Sequence, residues 1–167
     1  MRRASTLTWR AMTPGDLAAV DAIALRLHPS YPEDREVFAE RLRLHPGGCG
    51  VLAAQGDEIA GYVVSHPWHL GEPPALNVVL GQLPSPATTY HIHDLALLPQ
   101  ARGTGAAGRI VAQLRLHARE LGLPSLTLVA VNGSVPFWEK QGFAIAPGDG
   151  DVSSYGGDSR LMICSVG

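Results

Sequence analysis

Cysteine is scarce in this chain of 167 residues, and lysine is scarcer still. The two cysteines, Cys49 and Cys164, are too few for a disulfide-stapled fold, and their spacing matches no zinc motif. We therefore expect two buried thiols in a reducing compartment. Lys140 is the only lysine and the formal net charge is −2, so the basic surface typical of nucleic-acid binding is missing.

Long apolar runs are missing as well. No stretch is long enough to cross a bilayer, and the charged N-terminal residues 1–10 lack the apolar segment of a signal peptide. These absences predict a soluble cytoplasmic protein with no membrane partner. The length predicts one domain over residues 1–167, with enough chain to bury a single core.

The apolar residues that are present alternate between strand-like and helix-like patterns, which predicts an α/β fold with a mixed sheet. Between these elements, residues 67–86 form a long segment rich in proline and glycine, which is typical of a functional or disordered loop. Strands are predicted at 6–11, 51–55, 59–65, 88–98 and 126–131, and helices at 14–27, 33–44 and 105–121.

A glycine-rich turn, Gly103-Thr-Gly105-Ala-Ala-Gly108, links the predicted central strand to a helix. The first N–H groups of a helix lack intrahelical partners and sit in positive potential, so this turn suits a phosphate, with Arg102 adding charge. The turn matches G-x-G-x-x-G literally, but the next predicted strand ends at Asn132 instead of the acidic residue of a dinucleotide site. The Gly-Lys-Ser/Thr of a Walker loop is absent.

Two histidines precede the turn on the same strand. Residues two apart share a strand face, so His91 and His93 are expected side by side, on the face that also carries Leu95 and Leu97. Imidazole titrates near neutrality and suits general base catalysis.

Two other interpretations of the histidine pair stay open at this point. The pair is compatible with a partly solvated strand, or with half of a metal site to which His66 or His69 adds a ligand. Because the spacing places no third ligand, no metal is predicted.

A second motif follows the turn by one helix and one strand: Asn132-Gly-Ser-Val-Pro-Phe-Trp138-Glu-Lys-Gln-Gly142-Phe143. With Arg102-x-x-Gly-x-Ala, it resembles the GNAT superfamily of N-acetyltransferases. Within that superfamily, His-x-His-x-Leu-Ala and Val-Pro-Phe-aromatic-Glu-basic-x-Gly-Phe are similar to the serotonin (arylalkylamine) N-acetyltransferase branch. The resemblance covers most of the chain and is weaker upstream, from Tyr31 to Trp68.

The resemblance implies a mostly antiparallel central sheet flanked by helices, with acetyl-CoA as co-substrate and no metal. It implies acetyl transfer to a small primary amine, an arylalkylamine or polyamine, with His91 and His93 as the base, directly or through water. A bulge would splay the central strand from its neighbour and expose its backbone to the pantetheine arm. Tyr31 and Trp68 would form part of the wall of the amine-binding site. The implied acetyl-CoA residues are Leu95, Ala96, Leu97, Arg102, Gly103, Thr104, Gly105, Ala106, Ala107, Gly108, Asn132 and Trp138.

Trp138 departs from the family pattern, which has a tyrosine there as general acid. An indole N–H does not give up its proton at ordinary pH, so either Tyr31, Tyr90 or Tyr155 supplies one or the thiolate leaves unassisted. A non-catalytic acyl-CoA-binding module and an acetyltransferase acting on a protein amine are the alternative functions, and a homodimer stays open. The acidic residues 33–36 and Glu40 favour a cationic acceptor only mildly, because such runs are usually solvated helix faces.

Overall fold

A computed structural model describes residues 6–147 and 152–167, in which seven strands form one sheet of order β1-β2-β3-β4-β5-β7-β6. Only β4 and β5 pair in parallel. The prediction of a mixed, mostly antiparallel sheet is therefore confirmed. The strands are β1 (Thr8–Ala11), β2 (Cys49–Ala53), β3 (Ile59–Trp68), β4 (Thr89–Leu97), β5 (Ser125–Ala130), β6 (Ala144–Ile145) and β7 (Arg160–Ser165).

The α-helices of the described chain are α1 (Leu17–Leu27), α2 (Arg35–Leu44), α3 (Ala106–Glu120) and α4 (Val135–Lys140). The helix predicted from Glu33 begins two residues later. Asp34 is extended and caps the helix, and its N–H donates to Asn77 Oδ1 at 2.8 Å instead of joining a helical turn. Glu33 is thus a loop residue, and its side chain is free to turn towards the sheet.

Helices cover both faces of the sheet. On one face α3 packs through its buried apolar residues Ile110, Val111, Leu114 and Ala118. On the other face α1 and α2 bury Val20 and Phe38 among other residues. Both thiols are buried, as expected.

A β-bulge interrupts the pairing of β3 with β4. Val64 lies opposite Asp94 and Ser65 opposite Ile92, so His93 is an extra residue with no partner across the ladder. One extra residue shifts the alternation of side chains beyond it. The expectation that Leu95 shares the face of His93 is wrong, because Leu95 packs with the α3 core whereas Asp94 bonds Tyr62 in the opposite core.

Strands β4 and β5 separate in the middle of the sheet. They pair from Tyr90 to Ile92 on β4 and from Leu126 to Leu128 on β5, and beyond Ile92 and Leu128 the two strands no longer pair. The β5-facing backbone of β4 after Ile92 is therefore open within the sheet. This gap, together with the start of α3, positions the cleft described below.

The long proline- and glycine-rich loop contains no helix or strand between residues 69 and 88, but it begins two residues later than predicted, because β3 continues to Trp68. Hydrogen bonds hold part of it against α2 and against residues 154–155. Among the described residues no helix has the length and hydropathy needed to cross a membrane. The first five residues of the charged N-terminal stretch lie outside the described part of the chain.

The two leucines of α3 test how much the core on this face contributes. Leu114 is 3% exposed and Leu116 is 55% exposed. We expect Leu114→Ala to lower the free energy of unfolding by about 3 kcal/mol, because it leaves a cavity. Leu116→Ala makes the same change in helix propensity at an exposed position, so it should lower the free energy of unfolding by less than about 0.5 kcal/mol. Urea denaturation measures both, and equal losses would contradict the assigned packing.

Candidate active site

A single cleft of about 880 Å³ runs from the start of α3 across the gap in the sheet to the loop between α1 and α2. Gly103, Gly108 and Asn132 line one end of it, and Tyr31 and Glu33 line the other. The residues of β4 from Ile92 to Leu97 lie between these two ends. The strand therefore connects a backbone cradle to a set of ionisable side chains.

The cradle is built from the glycine-rich turn. Gly103 has φ +74° and Gly105, which caps α3, has φ +84°, a left-handed conformation that favours glycine. Gly105 has no side chain to cap α3, and the N–H of Ala106 makes only a long hydrogen bond to Thr104 Oγ1, at 3.4 Å, so the first turn can still offer N–H groups to a ligand. Arg102 lines the cleft, with its Nε donating to Leu97 O at 3.3 Å. Free N–H groups, the helix dipole and a guanidinium together fit a pyrophosphate.

His93 forms a hydrogen bond with Glu33 across the other end of the cleft. His93 Nε2 lies 2.7 Å from Glu33 Oε1, and their side chains are only 1% and 6% exposed. Burial raises the pKa of Glu33, but the opposing effects of His93, the Asn77 N–H and Arg41 prevail, so the pKa lies below its usual value. Glu33 is therefore a carboxylate, and its Oε1 accepts a hydrogen bond from the Nε2–H of His93.

This hydrogen bond sets the tautomer of His93. When Nε2 carries the proton, Nδ1 presents a lone pair. Nδ1 is buried and has no hydrogen-bond partner among the residues that the structure describes. The imidazole can thus accept a proton there while Glu33 stabilises the resulting imidazolium.

Asp94, the next residue of β4, makes a second pair with the same loop. Its Oδ1 lies 3.3 Å from His28 Nε2. Its Oδ2 accepts a hydrogen bond from the Tyr62 hydroxyl, with 2.5 Å between the two oxygens. The contact with Asp94 raises the pKa of His28 above its usual value. Adjacent residues of the bulged strand therefore hold both ends of loop 28–34, which carries Tyr31 into the cleft wall.

The two strand histidines do not stand in the same environment. His91 is fully buried with its ring centroid 6.5 Å from that of His93, and its Nδ1 bonds Thr127 Oγ1 at 3.2 Å. Burial holds the pKa of His91 well below its usual value. His91 contributes no surface to the cleft. The structure therefore brings only His93 to the cleft, and the expectation of a shared base is not supported by this geometry.

Trp68 also lies away from the cleft, since its Nε1 donates to Glu72 O at 2.7 Å and its ring packs on His66. Burial lowers the pKa of His66 to about 3. Within residues 6–147 and 152–167 no three histidine, cysteine or carboxylate side chains are grouped as metal ligands. The metal interpretation with His66 or His69 therefore has no structural support.

The aromatic candidates for a general acid differ in position. Trp138 packs on Phe143 with ring centroids 5.4 Å apart and also lines the cleft. Tyr31 and Tyr155 line the cleft too, but the Tyr155 phenol donates to Pro74 O at 3.0 Å, and burial raises its pKa. Tyr90 shares a hydrogen bond with Ser65 outside the cleft.

Sequence reasoning missed Glu33, His28 and Asp94 as cleft residues. Glu33 and His93 are 60 positions apart, and no spacing rule connects a loop with a distant strand. The acidic run was interpreted as a solvated helix face, which is wrong for Glu33 and Glu40, because both side chains are buried. The one available signal was Pro32-Glu33-Asp34, in which Asp34 is a better helix cap than Pro32.

Comparison with known proteins agrees with this arrangement. A sequence profile described as the acetyltransferase (GNAT) family matches residues 15–143. The fold is similar to that of Ard1 from Thermoplasma volcanium, with 18% identity, a TM-score of 0.71 and coverage of 95% of this chain and 97% of that one. No curated protein matches the chain by sequence.

Two further solved structures share the fold and hold CoA compounds. One is the N-acetylglutamate synthase of Neisseria gonorrhoeae with coenzyme A and N-acetyl-glutamate, with 19% identity, a TM-score of 0.71 and coverage of 99% of this chain and 36% of that chain. The other is the GphF GNAT-like decarboxylase in complex with isobutyryl-CoA, with 17% identity, a TM-score of 0.74 and coverage of 96% of this chain and 100% of that chain.

The pair of His28 and Asp94 predicts a pH-dependent contribution to stability. Because the folded-state pKa of His28 is raised above its ordinary 6.5, the stabilisation is complete below pH 6.5 and is lost as the pH rises through the folded-state value. We expect His28→Gln to be less stable than the wild type at pH 6 and the difference to shrink towards pH 9, measured by urea denaturation. His69→Gln, at an exposed histidine, is the control. A difference that grows with pH would contradict the pair.

Proposed function

This chain belongs to the GNAT family of acetyltransferases, and from that premise we propose that it transfers the acetyl group of acetyl-CoA to a small primary amine. The acceptor in this proposal is an arylalkylamine, which the resemblance to the serotonin (arylalkylamine) N-acetyltransferase branch implies, or a polyamine. The observation that carries the proposal is the hydrogen-bonded pair of Glu33 and His93 in the same cleft as the glycine-rich cradle.

The cradle would hold acetyl-CoA by its pyrophosphate. The backbone N–H groups of residues 103–108 point to this role, and Arg102 adds a positive charge. The open backbone of Leu95–Leu97, left unpaired by the divergence of β5, would bond the pantetheine arm. Asn132 and Trp138 line the same part of the cleft. This path leads the thioester to the bulge at His93.

His93 would act as the general base. The acceptor arrives as an ammonium, so it must lose a proton before its nitrogen can attack the thioester carbon. Because the imidazole side chain is almost fully buried, a water carries that proton to the free Nδ1. The amine nitrogen then bonds the carbonyl carbon, the C–S bond breaks, and the electron pair leaves on sulfur. The amide nitrogen releases its second proton to solvent.

The thiolate would leave without a general acid. Trp138 does not give up its indole proton, and the phenol of Tyr155 already donates to Pro74 O. Thiols have a pKa of about 8.5, so a thiolate is an acceptable leaving group near neutral pH. Tyr31 is the remaining cleft tyrosine, and it contributes to the wall around the acceptor.

A small acceptor fits the enclosure of this end of the cleft. Tyr155 O–H donates to Pro74 O at 3.0 Å, and Leu76 N donates to Ser154 Oγ at 3.0 Å. These bonds join the long loop to residues 154–155 beside the pair of Glu33 and His93, so they narrow the space around the acceptor. Leu76, Tyr31 and Tyr155 supply apolar surface for the body of an amine.

Gly108 tests acetyl-CoA binding. A Cβ there would meet only Gln141 Oε1, at 3.7 Å, so a side chain is tolerated but enters the cleft. We expect millimolar CoA to raise the Tm of the wild type by roughly 5 °C or more. Gly108→Glu should abolish the shift by filling and charging the cradle. Ala112→Glu, at an exposed position of the same helix, should keep it. A wild type that shows no shift would overturn the assignment.

Transfer of labelled acetyl from acetyl-CoA to a panel of arylalkylamines, polyamines and peptides tests the reaction. We expect acetylation of small amines, and His93→Gln should lower kcat by about 10²–10³ with little change in the KM for acetyl-CoA, because the base is lost. His91→Gln is the matched control, with a loss of about tenfold or less, since His91 is outside the cleft.

Each contrary result identifies another function. Binding of CoA without transfer to any member of the panel would indicate a non-catalytic acyl-CoA-binding module. Transfer to peptides alone would indicate a protein acetyltransferase. Equal losses in the His91 and His93 variants would restore the shared base that the sequence predicts.

A further inference from the structure

The carboxylate that orients His93 is itself held by the long loop. Glu33 Oε2 accepts a hydrogen bond from the backbone N–H of Asn77 at 2.9 Å. The side chain of Asn77 reaches back, and its Oδ1 accepts from Asp34 N at 2.8 Å. Asn77 therefore forms hydrogen bonds with two consecutive residues, Glu33 and Asp34. Its φ of +59° turns the backbone N–H and the side chain towards that loop.

The segment that contains Asn77 is anchored to α2 by a buried ion pair. Arg41 is fully buried, and its Nη1 donates to Val78 O at 3.2 Å and to Glu40 Oε1 at 3.1 Å. Glu40 accepts from Leu80 N at 2.5 Å and from Gly81 N at 3.0 Å. Two charged side chains thus fix the backbone of residues 78–81, next to Asn77. A segment without helix or strand gains a defined position in this way.

These contacts form one path from α2 to the base. The path runs from Glu40 and Arg41 through residues 78–81 to Asn77, then to Glu33 and finally to His93. Each step is a hydrogen bond of 3.2 Å or less or a covalent connection of the segment. The Asn77 backbone N–H donates to Glu33 Oε2, and the Asn77 side chain, which accepts from Asp34 N, keeps that N–H in place.

We propose that Asn77 is a positioning residue for catalysis, because its segment, fixed by Glu40 and Arg41, holds Glu33 against His93. The inference rests on the proposed role of His93 as base. Asn77 touches neither the acceptor nor acetyl-CoA in this scheme, since it does not line the cleft. Its effect on the reaction therefore passes entirely through Glu33.

Asn77→Gly is the informative variant. Glycine accepts the positive φ and keeps the backbone N–H, but it removes the Oδ1 contact with Asp34 and loosens the segment. We expect kcat to fall about tenfold, the rate equivalent of one lost hydrogen bond, with the KM for acetyl-CoA unchanged. Val79→Gly is the matched control, because Val79 is exposed in the same segment and its side chain makes none of these contacts. It should keep at least half of the wild-type kcat.

A double-mutant cycle shows whether Asn77 acts through Glu33. In a Glu33→Gln background, Asn77→Gly should lower kcat less than twofold further, because the carboxylate that it positions is gone. The proposal is overturned if the full tenfold loss persists in that background, or if Asn77→Gly and Val79→Gly behave alike.

A measurement that needs no activity separates this inference from the proposed function. In the wild type, the His93 Nε2 proton bonded to Glu33 should give a resolved NMR signal in the imidazole N–H region, and Asn77→Gly should broaden or remove it while Val79→Gly keeps it. If no amine is acetylated but the signal responds in this way, the proposed reaction fails and the positioning role stands. A signal that is unchanged in Asn77→Gly would overturn the positioning role, whatever the activity.

Discussion

The β-bulge at His93 is the constraint on which the rest of the site depends. One extra residue in β4 puts His93 and Asp94 in succession towards the α1 and α2 side of the sheet, where loop 28–34 meets both. At the same point β4 stops pairing with β5. A bulge increases local twist and disturbs regular pairing, so the same irregularity that aims the histidine accompanies the gap between β4 and β5.

Charge compensation is the second constraint on this region. The side chains of Glu33 and Glu40 are buried and that of Asp94 is partly buried, and an unpaired buried charge costs several kcal/mol. Glu40 is matched by Arg41, Asp94 by His28 and Tyr62, and Glu33 by His93 together with the Asn77 N–H. Removing one member of a pair would leave the other member as an uncompensated charge. The pairs of His28 with Asp94 and of Glu33 with His93 therefore tie loop 28–34 to the sheet. The charge pairs that surround His93 therefore also order the cleft wall.

Much of the scaffold could be predicted from the sequence because it depends on short-range rules. The helix α3, the glycine-rich turn at its start and the five predicted strands are local patterns, and the structure contains each of them. The cradle is likewise local, since φ angles and helix-end N–H groups belong to adjacent residues. The pairing of Glu33 with His93 is not local, and a β-bulge leaves no fixed signature in the alternation of residues 88–98.

By itself the sequence determined the family, the mixed sheet and the glycine-rich turn at the start of α3, because each follows from residues that are contiguous along the chain. Only the tertiary structure decided which histidine faces the cleft and which carboxylate orients it. His91 and His93 are equivalent by spacing, and they become different only when β4 bulges, His91 is buried beside Thr127 and loop 28–34 reaches His93. Burial and hydrogen bonding between distant segments set the chemistry of an imidazole, and these are properties of the folded chain.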